Sequence, residues 1–258
     1  MYARAFARPL VVATALGFGG SAWAADVYVP DVYVPSNESY PQPAQAFSWT
    51  GIHLGVGGGI QFDGADGYAS VNDGLLIFFD ETSGHLTGTA WFATLDAGVD
   101  FQVQSFVVGL LGNYDWHPSP ATDQISSTDV DLNVTWGDSW AVGARAGWLF
   151  SPSTLFYVSG GYAQKFITAF SEHDVDGGSG SDPLTGGGWQ PGWFAGIGVE
   201  TLLSQHVSAK LEYRYGVYSG FSSEDFCTGT TCNTGDQRTL DVGPTTSQTI
   251  RAVLSWRL

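Results

Sequence analysis

The sequence has few charged residues and no apolar run long enough to form a membrane-spanning helix. Asp, Glu, Lys and Arg make up 13% of its 258 residues, about half of the share that is typical of soluble domains. A spanning helix needs roughly 20 consecutive apolar residues, and glycine or aromatic residues interrupt every apolar run. These two shortages argue against an ordinary soluble domain and against a helical membrane protein.

Cysteine is nearly absent, and the two that occur lie close together. Cys227 and Cys232 stand in a Gly- and Thr-rich stretch. In an exported protein such a pair is expected to form a small disulfide, and two free thiols are the alternative. A zinc site is not expected, because no further cysteine or nearby histidine completes a ligand set.

The first 24 residues have the features of an export signal. Arg4 and Arg8 form a positive start, residues 10–18 a short apolar stretch, and residues 22–24 (Ala-Trp-Ala) a small-x-small cleavage pattern. A retained helix is the alternative, but the apolar stretch is too short to span a membrane. We therefore predict a signal peptide over residues 1–24.

The remainder divides into a tail and one large domain. Residues 25–47 are rich in proline and contain the repeat Asp-Val-Tyr-Val-Pro. Because proline cannot donate a ladder hydrogen bond, this tail is expected to lie outside the sheet, in the periplasm. Residues 48–258 are expected to form one folded domain.

Abundant glycine and aromatic residues accompany a period-2 alternation of apolar and polar residues. The sequence holds 35 Gly, 10 Trp, 11 Tyr and 16 Phe. The alternating stretches are 49–62, 89–103, 105–117, 136–150, 154–168, 189–202, 207–218 and 248–258. Each can supply the roughly 9–11 residues of a transmembrane strand, with an apolar face toward lipid. A soluble β-sandwich also alternates, but charges on its inner face would be costly.

The connections between the stretches alternate between short and long. Short turns are predicted near Gln104, at 151–153 and at 203–206, and long loops at 63–88, 118–135, 169–188 and 219–247. This layout predicts that residues 48–258 form an outer-membrane β-barrel, an eight-stranded antiparallel transmembrane up-and-down barrel. Its short turns and both termini are expected in the periplasm and its long loops outside the cell. The apolar run at 75–79 is a possible additional strand.

Most basic residues of the mature chain fall on the polar, inward face. The predicted lumen charge network consists of Asp96, Asp100, Asp115, Arg145, Lys165, Glu200, Lys210, Glu212, Arg214, Arg251 and Arg257. Pairing lowers the cost of confining charges, and an eight-stranded barrel has room inside for little more than side chains. A salt-bridged plug is therefore expected, with a selective pore lining as the alternative.

The predicted loops are strongly acidic, with Arg238 as their one basic residue. Their negative potential attracts cations and repels polyanions, so nucleic acid is not an expected partner. Asp174, Asp176 and Asp182 on a Gly-rich turn are candidate calcium ligands, although an acidic flexible loop is the commoner explanation of such a stretch. His85, His117 and His173 lie in or near loops and are candidate hemin ligands.

The motifs typical of enzymes are missing. No Ser-His-Asp or Cys-His spacing stands out, and no Gly-rich phosphate loop follows a strand and opens a helix. We expect no enzymatic activity, no cofactor and no established metal site.

Three segments carry a resemblance to a known family. Residues 49–55 (Trp-Thr-Gly-Ile-His-Leu-Gly) resemble the opening strand of alphaproteobacterial porin-like outer-membrane surface antigens. Residues 196–200 and 210–215 are similar to that family's G-x-G-x-E and LEY-x-Y segments, in the same order. The resemblance covers about 49–258, and the chain departs from it in ending Trp-Arg-Leu where phenylalanine is usual.

The resemblance implies an eight-stranded barrel that is inserted by the barrel assembly machinery. It also implies one of three roles: a structural protein of the envelope, a small-solute porin, or a surface binder of hemin or a host ligand. The loop cysteines are not a general feature of the family.

Overall fold

The computed structural model describes residues 48–72, 79–127, 130–173, 184–226 and 237–258. Within these ranges the chain forms eleven β-strands. They are β1 (Gly51–Asn72), β2 (Phe79–Val103), β3 (Phe106–Trp116), β4 (Ala121–Ser126), β5 (Val130–Ser151), β6 (Thr154–His173), β7 (Leu184–Leu202), β8 (Val207–Tyr218), β9 (Phe221–Phe226), β10 (Gln237–Val242) and β11 (Thr245–Arg257). No helix in the described ranges has the length and hydropathy of a membrane span.

Eight strands pair antiparallel into a closed ring. The order around it is β1, β2, β3, β5, β6, β7, β8 and β11. The first and last strands close it, from the pair His53–Arg257 to the pair Gly64–Thr246. Each alternating stretch of the sequence corresponds to one of these strands, so the predicted eight-stranded barrel is confirmed.

One end of the ring carries the short connections, and we call it the turn end. Gln104–Ser105, Pro152–Ser153 and Leu203–His206 make these turns, as predicted. Gln104 has a φ of 56°, a left-handed conformation that is common in tight hairpins.

The long connections at the opposite end, the extended end, were predicted as loops, and this was largely wrong. β1 continues to Asn72 and β2 begins at Phe79, while β4, β9 and β10 lie wholly inside the predicted loops. The physical reason is that apolar and polar residues still alternate there, but the two faces are exchanged: the apolar residues face inward and the polar residues face outward. Beyond Gly64 of β1, the inward residues Ala65, Ala69 and Val71 are buried and apolar, whereas outward residues such as Asp66 are polar.

The ring divides at the extended end into two four-stranded sheets. One has the order β9-β10-β1-β2 and the other β4-β5-β6-β7. Within the described ranges no ladder joins β2 to β4 or β7 to β9. Side chains bridge the two seams instead: the Thr87 amide donates to Asp123 Oδ2 at 2.7 Å, and Ser223 Oγ donates to the Thr185 carbonyl at 3.3 Å.

The inner faces of these two sheets enclose an apolar core, which we call the sandwich core. Its larger members are Val71, Leu86, Val130, Leu132, Val134, Trp136, Ile167, Leu184, Leu240 and Val242. The sheets approach closely, because a Cβ on Gly88 would lie 2.8 Å from the Trp136 ring. The sandwich core therefore seals the barrel interior at the extended end.

A β-bulge in β5 aligns the sandwich core with the barrel interior. The pairing of β5 with β6 shifts register between Trp136 and Ser139. Even-numbered residues such as Trp136 face inward before the bulge, and odd-numbered residues such as Arg145 face inward after it. Because of the extra residue, β5 points apolar side chains into the sandwich core before the bulge and polar side chains into the barrel interior after it.

Candidate functional site: the barrel interior

The interior of the ring holds charges of both signs in equal number, all buried. The members are Asp63, Asp96, Asp100, Asp115, Glu200 and Glu212, with Arg145, Lys165, Lys210, Arg214, Arg251 and Arg257. All eleven residues that the sequence assigned to the lumen network lie here. Six carboxylates against six cations leave this interior charge network formally neutral.

Arg145 on β5 links two carboxylates at the turn-end side of this network. Its Nε donates to Asp100 Oδ1 at 2.8 Å, and its Nη1 donates to Glu200 Oε2 at 2.6 Å. Arg257 also donates to Asp100, and Ser208 Oγ donates to Glu200 Oε1 at 2.6 Å. Five strands, β2, β5, β7, β8 and β11, are thus tied together through charge-assisted hydrogen bonds, which are stronger than neutral ones.

A second set of ion pairs occupies the middle of the interior. Arg251 Nη2 lies 2.8 Å from Asp115 Oδ2, and Arg214 Nη2 lies 2.7 Å from Glu212 Oε1. Asn113 connects the two pairs, since its Oδ1 accepts from Arg214 and its Nδ2 donates to Asp115. The pairs therefore form one network across the barrel.

Lys210 and His53 occupy the space between these sets. Lys210 Nζ donates to Asp96 Oδ1 at 2.8 Å. The ring of His53 lies between two carboxylates, with Nε2 3.7 Å from Asp96 and Nδ1 3.3 Å from Asp100. His53 is buried on β1 and was not part of the predicted charge network.

Asp63 is the network member that the sequence analysis missed, because position 63 was assigned to a loop. Its Oδ1 accepts from Lys165 Nζ at 2.5 Å and its Oδ2 from Gln61 Nε2 at 2.5 Å. The alternation itself could have placed Asp63 inside, since it continues the series of inward residues that contains Gln61. Because Asp63 was left out of the predicted network, Lys165 had no evident carboxylate partner.

Aromatic rings cover most of the interior cations. The Arg214 guanidinium carbon lies 4.0 Å from the centre of the Phe194 ring, and that of Arg257 lies 4.8 Å from Trp49. Arg145 and Arg251 are placed in the same way, at 5.3 Å from Tyr157 and Phe92. These contacts stabilise positive charge where water is excluded.

A small apolar cluster closes the interior at the turn end. It consists of Trp49, Val107, Leu155, Tyr157 and Leu202, all buried. Trp49 is fully buried, its Nε1 donates to the Pro152 carbonyl at 3.2 Å, and its carbonyl accepts from Arg257 at 3.0 Å. The charge network is therefore enclosed by apolar layers at both ends.

The three candidate hemin histidines are not equivalent. His85 is exposed on β2, with Nδ1 2.9 Å from Asp66 Oδ1. His117 lies in the connection between β3 and β4, but its ring is turned inward: it is 3% exposed, packs on Phe92, and its Nε2 lies 3.2 Å from Gln61 Oε1. It is held inside because its amide also binds Asp138 in the β5 bulge. The side chain of His173 is not among those that the structure describes.

Several predictions fall on residues outside the described ranges. These are the disulfide Cys227–Cys232, the calcium candidates Asp174, Asp176 and Asp182, residues 75–78 of the proposed extra strand, the signal peptide at 1–24 and the tail at 25–47. They stay predictions.

The exterior of the chain from residue 48 onward carries no lysine or arginine. All seven such residues after position 47 are buried, with at most 7% of each exposed. They include Arg238, which was assigned to a loop but lies on β10, where it faces the inside of the sheet. The outside is instead apolar around the ring, with exposed residues such as Leu95, Val142 and Leu254. At the extended end it is mostly polar or acidic, with Phe170 as an exposed aromatic exception on β6.

A closed ring of strands with an apolar exterior and an ion-paired interior defines a transmembrane β-barrel of the outer-membrane class. The family model described as "Outer membrane protein beta-barrel domain" matches residues 39–256. This chain belongs to that family and is an outer-membrane β-barrel protein.

Similar curated proteins are outer-membrane antigens of alphaproteobacteria. The chain is 28% identical over 237 residues to the 25 kDa outer-membrane immunogenic protein of Brucella canis, covering 91% of this chain and 94% of that protein. It is 27% identical over 227 residues to the 31 kDa outer-membrane immunogenic protein of Brucella melitensis, covering 80% and 85%. The resemblance to this surface-antigen family is confirmed.

Among solved structures, the chain resembles the outer membrane protein OprG from Pseudomonas aeruginosa. The identity is 12%, the TM-score is 0.43, and the match covers 81% of this chain and 97% of that one. The assignment of the fold rests on the strand pairing and the family match.

Proposed function

We propose that this protein is a structural, surface-exposed component of the outer membrane, a closed barrel that anchors an acidic extracellular sandwich and contributes to envelope integrity. The observation that carries the proposal is the filling of the interior along its whole length. Apolar clusters lie at both ends, and a neutral network of buried ion pairs lies between them.

The energetics of the interior favour a plug over a pore. A passing ion would have to separate paired charges such as Arg145 and Asp100, and breaking a buried pair costs about 3–5 kcal/mol. An internal cavity lined by Arg214, Thr249 and Arg251 has a volume of about 10 Å³, roughly the space of one water molecule.

The proposed orientation places the turn end in the periplasm and the extended end outside the cell. Outer-membrane barrels have short periplasmic turns and longer extracellular connections, and the ring has its turns at one end. With eight strands both termini are then periplasmic, together with the proline-rich tail.

A non-enzymatic role is part of the proposal. The buried carboxylates of the described residues are bound to arginine, lysine or hydrogen-bond donors, as Asp115 and Glu200 illustrate. These carboxylates are enclosed in the barrel interior, and no open cleft among the described residues gives a substrate access to them.

Purified protein in planar bilayers is expected to show no stable, reproducible channel openings, because both apolar layers and the ion pairs block the axis. Single-channel recording checks this, with a known porin in the same bilayers as the positive control. Heat-modifiable gel migration of the same sample verifies that the barrel is folded. Uniform openings from folded protein would replace the plugged barrel by the small-solute porin.

The orientation is tested by labelling cysteines in intact cells, in a background with Cys227 and Cys232 replaced by serine. Ser83→Cys on the outer face of β2 is expected to react with a membrane-impermeant maleimide. Ser105→Cys in a turn, an equally exposed position, is expected to react only after the outer membrane is permeabilised. The reverse pattern would invert the proposed topology.

A further inference from the structure

A small cavity lies inside the barrel, next to the ion pair of Arg251 and Asp115. Its volume is about 10 Å³, which is close to the space that one water molecule requires. The polar residues that line it include Asp115, Ser139, Arg214, Ser247, Thr249 and Arg251. The cavity is therefore polar and just large enough for a single small molecule.

Two of the lining residues carry a polar atom that no protein group satisfies. Within the described ranges, Thr249 Oγ1 and Arg251 Nε are buried and have no hydrogen-bond partner. Thr249 is 6% exposed and Arg251 is 2% exposed, so bulk water does not reach either side chain. Burying a polar group without a partner is costly, and both atoms therefore require a partner that the protein does not supply.

The register of the strands explains why the Thr249 hydroxyl is left without a partner. Its neighbours across the two ladders are Gln61 on β1 and Arg214 on β8. Both side chains are engaged elsewhere in the network. Gln61 Nε2 donates to Asp63 at 2.5 Å, and Arg214 Nε donates to Glu212 at 2.8 Å.

The register also isolates the Nε of Arg251. The two Nη atoms of this residue donate to Asp115, at 3.4 Å to Oδ1 and 2.8 Å to Oδ2, so the third edge of the guanidinium still carries a free N–H. Of its two neighbours across the ladders, Gly59 has no side chain and Glu212 binds Arg214.

The chemistry of the lining selects the occupant of the cavity. The occupant must accept a hydrogen bond from Arg251 Nε, which can only donate, whereas the Thr249 hydroxyl can donate or accept. A halide ion is larger than water and would add a charge to a neutral network, beside the Asp115 carboxylate. A metal cation would meet two arginines. Water fits both the size and the two to four polar partners that a buried water needs.

We infer that this cavity binds one structural water molecule, which accepts a hydrogen bond from Arg251 Nε and bridges it to Thr249 Oγ1. The inference rests on the plugged barrel of the proposed function, because in a conducting pore the same atoms would meet mobile water. The sandwich core and the apolar cluster at the turn end cover the interior from both sides. This water is therefore long-lived and exchanges only when the barrel loosens.

The test measures cross-relaxation between the Nε–H of Arg251 and water by NMR, on isotope-labelled full-length protein folded in detergent micelles. The wild type is expected to show the cross-peak of a long-lived bound water. Thr249→Val, which removes the hydroxyl at nearly the same volume, is expected to lose this cross-peak, and Thr249→Ser is expected to retain it. Heat-modifiable gel migration verifies that each variant is folded.

Ser159→Ala provides a matched control, because it removes another buried, unpartnered hydroxyl that lies outside the cavity lining. It should leave the cross-peak unchanged. An equal loss with Ser159→Ala, persistence in Thr249→Val, or a shift of the Arg251 signal when chloride replaces sulfate at constant ionic strength would each overturn the inference.

Failure of the water site is distinguishable from failure of the plugged barrel. If the folded wild type shows no cross-peak and no channel openings, the water site is wrong and the plug stands. If it shows channel openings together with a short-lived water contact at Arg251, the interior is hydrated and both proposals are wrong.

Discussion

Replacing Arg145 by methionine is expected to lower the free energy of unfolding by about 3–5 kcal/mol, the usual cost of breaking a buried ion pair from one side. Arg145 binds Asp100 and Glu200 at once. Its removal leaves Glu200 with Ser208 and the longer contact to Arg257. Unfolding by urea or guanidinium of protein folded in vesicles measures the change.

Two further variants show whether this loss comes from the ion pairs. Ser159 lies opposite Arg145 on β6, and its buried hydroxyl has no hydrogen-bond partner. The substitution Ser159→Ala should therefore change the free energy of unfolding by less than about 1 kcal/mol. Adding Glu200→Gln to Arg145→Met should recover part of the loss, because one unpaired charge is removed. An unaltered unfolding midpoint in Arg145→Met would contradict the interior network as a source of stability.

Trp136→Ala is expected to destabilise the sandwich core by about 3–5 kcal/mol, since it empties the space of a fully buried indole. The effect should be local. The ring below is held by its own ladders and ion pairs, so amide exchange should accelerate in the outer parts of β1, β2, β5 and β6 while heat-modifiable migration persists. Hydrogen exchange resolved by peptide measures both regions in one experiment.

Trp91→Ala removes the same side chain from an exposed position, where it is 55% exposed. It should leave exchange at the extended end close to that of the wild type. If Trp136→Ala produced no faster exchange there, the two sheets would not depend on a shared core. Faster exchange throughout the barrel would mean that the sandwich and the ring unfold as one unit.

Alternation in the sequence was sufficient to predict the ring, because lipid outside and a confined interior impose opposite chemistry on neighbouring residues. Val142 and Arg145 illustrate this: the first faces outward and the second is buried among carboxylates. The same reasoning failed beyond Gly64, where the outside becomes water. There the inward residues, such as Ala69 and Leu240, are buried because they are apolar. The alternation in the outer part of β1 and in β10 is short, and these segments were therefore predicted as loops.

The interior network was predicted only in its membership. Alternation placed eleven charged residues inside. It does not predict which carboxylate pairs with which cation, because partners such as Lys165 and Asp63 are 102 residues apart in the sequence. Asp63 was assigned to a loop, and the burial of His117 was not predicted, for a related reason. Both lie at the transition between the ring and the sandwich, where an inward polar residue resembles a loop residue.

By itself, the sequence determined the class of protein, the eight spanning strands, the positions of the short turns and the inward charges, since all of these follow from local periodicity. Only the tertiary structure decided the pairing of the charges, the burial of His117 and Arg238, and the division of the ring into two sheets around the sandwich core. These depend on ring closure, on the register between strands and on the bulge at β5, which bring distant residues together and leave no local pattern in the chain.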